Sequence, residues 1–148
     1  MGPSPLLPRG AQPATAVGGL MTAQFTQDDL VHLSEVIVNI FNTWGVSADL
    51  QLRLLGFGAG TPVAELQRLR SGEPFPVDGD RLDRAEQLLA IHDCLRTAYP
   101  RSAVMAGHWL RQPHRRTHNR APLAVMLEDG LPGLKTIRGL LDCTQNWI

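Results

Sequence analysis

Few residues in this chain have the type and spacing to do chemistry, and each candidate set falls short of a site. His114 and His118 lie four apart in the run HRRTH, the spacing of two metal ligands on one helical face. That run lacks the glutamate of a metalloprotease helix and follows Pro113 in a loop-like context. A structural zinc needs two further ligands, and Cys94 and Cys143 are not near in sequence. Zinc is therefore not expected. Serine, histidine and acidic residues occur, but none stands in a nucleophile elbow. The run GFGAG has neither the spacing nor the preceding strand of a phosphate- or dinucleotide-cradling loop. These absences predict a protein that is not an enzyme and uses no cofactor and no metal.

What remains is chemistry of recognition. Arg111, Arg115, Arg116 and Arg120 cluster around the two histidines, and arginine offers a rigid fork of donors to carboxylates and phosphates. The cluster reads as a docking surface for an acidic partner or nucleic acid, or else as a solvated loop. The 148 residues carry no net charge, but its distribution is uneven. Residues 25–100 hold six Arg/Lys against eleven Asp/Glu, and residues 101–148 hold seven against three. Proteins that hold DNA mainly by its phosphates show a basic surplus, and here the surplus lies only in the C-terminal part.

The elements that must position these residues are helices. Thr26 and Asp29 form a capping arrangement ahead of Leu30, Leu33, Ile37, Ile40, Phe41 and Trp44 at helical spacing, and Gly45 ends that helix. Ser47 caps a short helix with Leu50, Leu54 and Leu55. Thr61 and Pro62 open a third helix, with Val63, Leu66 and Leu69 on its apolar side. The longest helix is expected over 81–99, with Leu82, Ala85, Leu88, Leu89, His92, Leu95 and Tyr99 as its inner stripe, and His92 as a core histidine. Shorter helices follow near 102–110, after Pro122, and up to about 143. No stretch alternates like a strand. The predicted fold is all-α.

The second and third helices fit a helix-turn-helix. Its second helix would present Thr61, Glu65, Gln67, Arg68 and Arg70 to the major groove, where arginine pairs with guanine and glutamine with adenine. The turn 56–61 is longer than usual, and the alternative is a helical pair that only builds the bundle.

Further along, Trp109, Leu110, Pro113, Pro122, Leu123, Asp129 and Gly130 precede Leu134, Ile137 and Leu141 on one helical face. In this order, after a helix-turn-helix-like bundle, they resemble the C-terminal segment of Xre/MbcA/ParS-type antitoxins. The resemblance covers about residues 44–147. The chain departs from the family at RRTHNRA, where relatives carry a Gly-rich turn, and at Leu69, where an aromatic is expected. The resemblance implies a cytoplasmic antitoxin of a type II toxin-antitoxin system, whose C-terminal domain occludes a RES-domain toxin that degrades NAD. It also implies an N-terminal part that forms a homodimer and binds promoter DNA of its own operon. Interface anchors favour Trp, Tyr and Arg, so the expected toxin-binding residues are Trp109, Arg111, Arg115, Arg116, Met126 and Trp147. Trp109 could equally be a core residue, whereas Trp147 at the penultimate position is expected to insert into the partner. The alternative is a helix-turn-helix transcriptional regulator without a toxin partner.

The expected organisation is a disordered Pro/Gly-rich tail over 1–24, a helix-turn-helix and dimerisation bundle over 25–100, and a toxin-binding domain over 101–148. The tail lacks the apolar core of a signal peptide, and no run reaches the roughly 18 apolar residues of a membrane span. Two cysteines far apart in helix-like contexts suggest reduced thiols, in keeping with a cytosolic protein.

Overall fold

The computed structural model describes residues 25–58 and 60–141. The expected tail over 1–24, Cys143 and Trp147 lie outside these residues. The chain is all-helical: α1 (Gln27–Trp44), α2 (Ala48–Leu54), α3 (Ala64–Arg70), α4 (Arg81–Ala98), α5 (Ala103–Arg111), α6 (Pro122–Asp129) and α7 (Leu131–Leu140), with a 3₁₀ turn at Arg115–Thr117. An isolated bridge between His114 and Arg120 is the sole β-type pairing among the described residues.

Local chemistry sets the ends of α1. The Thr26 hydroxyl accepts from the Asp29 amide, and the Asp29 carboxylate accepts from the Thr26 amide, a complete capping box. Gly45 stops the helix at φ 67°, the left-handed conformation glycine adopts without strain. The start of α3 differs from expectation. It begins at Ala64, and the Thr61 hydroxyl donates to the Gly58 carbonyl instead of capping. Val63 therefore stands at the helix entry, 44 % exposed, rather than on the apolar side.

One hydrophobic cluster runs through every helix, from Leu30 and Ile37 of α1 to Leu134 and Ile137 of α7. The boundary expected at residue 100 thus separates helices that share a core. Between them α4 is central. It buries Leu82, Ala85, Leu88 and Leu95, and also Gln87, Ile91 and Cys94 along another face. This second face meets α7, where Arg138 donates to Gln87 at 3.3 Å. The loop before α4 adds Phe75, fully buried, whose amide donates to the Leu30 carbonyl, while the Ser34 hydroxyl donates to the Glu73 carbonyl. At the α6–α7 corner Gly133 is buried where a Cβ would collide with the Val125 carbonyl oxygen.

Cys94 is disulfide-bonded, which corrects the expectation of reduced thiols. Cys94 lies on the Gln87 and Ile91 face of α4, the face that meets α7. Disulfides persist mainly in oxidising compartments, so the cytosolic expectation loses the support it drew from the thiols. No helix of the described residues is long and apolar enough to cross a membrane.

His92 is half-buried on α4 near the Trp44 ring. Burial pushes its pKa down, Arg96 pushes it down further, and Asp93 opposes weakly. The folded state thus favours neutral imidazole, and the unfolded chain binds the extra proton first. Stability from this group is present above about pH 6.5 and is lost as pH falls below it. Urea denaturation between pH 7.5 and 5.5 should show a fall in stability that His92→Gln reduces. An unchanged slope in the variant would show that His92 does not contribute.

Candidate partner-binding surface

The basic cluster is built on α5 and the turn that follows. Ser102 caps α5, its hydroxyl accepting from the Met105 amide at 3.3 Å. Gly107 lies buried where α5 crosses the end of α1, and a Cβ there would sit 3.3 Å from the Trp44 carbonyl oxygen. One turn on, Arg111 Nη1 donates to the carbonyls of Trp44 and Gly107, and Nη2 to that of Gly45, each at 2.9 Å. These α1 carbonyls lack intrahelical partners, and a cation suits the negative end of the helix dipole.

After α5 the chain closes a compact turn over 114–120. The His114 amide donates to the Arg120 carbonyl, and the Asn119 amide returns to the His114 carbonyl at 2.8 Å. Thr117 is buried at the centre, with its hydroxyl 3.0 Å from the His114 carbonyl and 2.5 Å from that of Arg120. Its single proton serves one of these at a time. His118 and Asn119 both take positive φ, 56° and 63°. The His114 ring lies 4.7 Å from the Trp109 ring, with a ring nitrogen 3.3 Å from the Trp109 carbonyl oxygen. The basic segment is therefore an ordered turn on an aromatic support.

Its arginines divide by use. Arg120 grips Glu128 at 2.8 Å and Asp129 at 3.2 Å. The hydrogen bonds to Asp129, then to Glu128, hold its pKa above the usual range. Arg115 and Arg116 are exposed and pair with no described carboxylate. Of the expected toxin-binding residues, the fold brings Trp109, Arg111, Arg115 and Arg116 to one region. Met126 is 1 % exposed in the shared core, so it cannot act as a surface anchor in this conformation. It sits on the face of α6 with Leu123, the face that packs inward. Trp147 lies outside the described residues.

The expected DNA-reading helix has different surroundings. The short helices α2 and α3 are separated by positions 55–63, longer than a compact helix-turn-helix turn. Arg68 bonds to Glu73 at 3.1 Å and Glu65 at 3.4 Å, and the Glu73 bond chiefly raises its pKa. Gln67 and Arg70 are exposed, while Thr61 is half-buried and committed to Gly58. Glu65 and Arg68 thus spend their charges on each other and on Glu73, and the free donors of α3 reduce to Gln67 and Arg70. Among the described residues, no group of three His, Cys, Asp or Glu side chains could hold a metal ion.

Sequence reasoning missed Thr117, Gly107 and Arg84. Arg84 bonds to Asp80 at 2.9 Å, reaches the Leu54 carbonyl, and passes over Gly56, where a Cβ would lie 2.7 Å from its Nε. A glycine ending α2 was a visible signal, but its arginine lies 28 positions away.

Replacing Arg111 by Met keeps the aliphatic stem and removes three hydrogen bonds. Such bonds to a charged donor are worth roughly 1.5–3 kcal/mol each when buried and less when partly exposed, so stability should fall by about 1–3 kcal/mol in urea denaturation. An unchanged midpoint would mean that apolar packing alone holds α5 in place.

Compared with protein-family models and with curated proteins, the chain matches none.

Proposed function

We propose that the chain is an antitoxin of the Xre/MbcA/ParS kind, which binds a RES-domain toxin and obstructs its NAD-consuming cleft. The observation that carries this reading is the turn over 114–120, which holds the unpaired guanidinium groups of Arg115 and Arg116 on a folded backbone beside Trp109. Inhibition by occlusion requires a shaped surface and forked donors, and a surface ordered before binding loses less entropy on association. On this reading Trp109, Arg115 and Arg116 contact the toxin. Arg111 and Met126 serve from within, by fixing α5 and α6. The family pattern implies action in the cytoplasm, a compartment that the disulfide at Cys94 does not favour. A homodimer and promoter DNA belong to the family pattern, with Gln67 and Arg70 as the remaining DNA contacts.

The test is co-expression with the product of the neighbouring gene, followed by an NAD-consumption assay. A stable complex should form and suppress NAD loss. Arg115→Glu combined with Arg116→Glu should weaken inhibition by at least about tenfold, since close charge pairs at interfaces couple by roughly 1.5 kcal/mol or more. Circular dichroism should be unchanged. No complex, or unimpeded NAD loss, would overturn the reading and leave a regulator without a toxin partner.

A further inference from the structure

A second surface lies on the N-terminal helices. A groove of about 550 Å³ runs between α1 and α4, walled by Phe25, Leu33, Val36, Leu82, Ala85 and Leu89. Leu82 and Ala85 are buried, Leu33, Val36 and Leu89 are half-buried, and Phe25 is 36 % exposed. Leu82 and Ala85 belong to the shared core, whereas Leu33, Val36 and Leu89 pack against it from the groove side and stay half-exposed. Its apolar walls face each other across α1 and α4, so a single apolar stripe can contact all of them at once.

The groove lies in a negative field. Asp29 and Glu86 stand on its rim beside His32, and α1 adds Asp28 and Glu35 while holding neither Lys nor Arg. The two arginines that open α4 are engaged elsewhere. Arg81 stacks over the Phe57 ring at 4.2 Å and pairs with Asp78, and Arg84 pairs with Asp80. His32 pairs loosely with Glu35 at 3.7 Å. Glu86 is exposed and pairs with no described residue.

We propose that this groove docks an amphipathic helix of another protein, with an apolar face flanked by Lys or Arg. Helices lay an apolar stripe into such grooves, and charges at the rim select the partner. A second copy of this chain fits less well, because it would set Asp29 and Glu86 against acidic equals, and like charges facing each other suppress association. The surface uses none of the residues of the 114–120 turn, so the inference stands apart from the toxin reading.

The test uses the full chain and two 18-residue probe peptides with leucines at helical spacing, one with lysines between them and one with glutamates. Calorimetry measures binding, and methyl NMR locates it. The lysine peptide should bind and shift the methyl signals of Leu33, Val36 and Leu89, and the glutamate peptide should not. Glu86→Lys, a change at an exposed position, should weaken binding by roughly fivefold, and added salt should weaken it further. Equal binding of both peptides, or of neither, overturns the proposal. A concentration-dependent dimer in light scattering that Val36→Asp abolishes with helicity intact would assign the groove to a second copy. Nuclear Overhauser contacts between these methyls and residues 1–24 in the free chain would assign it to the chain's own leading segment. Either assignment also overturns the proposal.

Discussion

Arg111 holding the last carbonyls of α1 is the contact on which the C-terminal arrangement depends. The left-handed Gly45 turns its own amide and that of Val46 back to the Asn42 and Phe41 carbonyls, and the Trp44 and Gly45 carbonyls are left for another partner. Here the Trp44 and Gly45 carbonyls accept from a guanidinium contributed 66 to 67 positions later. Gly107 lets the α5 backbone come close enough for this bond to form. Once α5 is seated, the turn over 114–120 has a fixed origin, and Trp109 with His114 sets its direction.

Arginine recurs in this role. Arg53 of α2 reaches the Leu127 carbonyl of α6, and Arg138 of α7 reaches Gln87 of α4. Together with Arg111 these tie the acidic N-terminal portion to the basic C-terminal one through carbonyl and amide oxygens rather than through surface ion pairs, which contribute little. The basic surplus of residues 101–148 is thus partly structural. Arg111 and Arg138 are spent on the fold and Arg120 on Glu128 and Asp129, which leaves Arg115 and Arg116 as the clustered free charges. A chain whose overall charge is zero can in this way present a local basic surface.

Much of the fold was legible because it follows local rules. The Thr26 capping box, the Gly45 stop, Pro122 opening α6 and the apolar stripe of α1 all depend on residues within a turn or two of one another. The stripe of α4 was read only in part. Gln87, Ile91 and Cys94 form a second buried face, and a helix enclosed on two sides loses the single-stripe pattern that reveals one. Phe75 sits in a Pro-rich loop with no period, and only the return of that loop over Leu30 buries it. The candidate surface was legible in composition but not in geometry. A run of Arg and His reads as a solvated loop, because nothing local shows that Thr117 turns inward, within reach of the His114 and Arg120 carbonyls. Met126 shows the opposite error, since an interface-favoured residue type on a short helix carries no mark of which side faces the core.

The 114–120 turn holds its shape in the free protein. Amide hydrogen exchange of the free protein tests this most directly, read at Thr117, His118, Asn119 and Arg120, whose amides all donate within the turn. A preformed surface predicts exchange at least about tenfold slower than in an unstructured chain, since opening it would cost more than about 1.4 kcal/mol. Exchange at the unstructured rate would contradict the claim, and the basic segment would then be a solvated loop that acquires its shape only on binding.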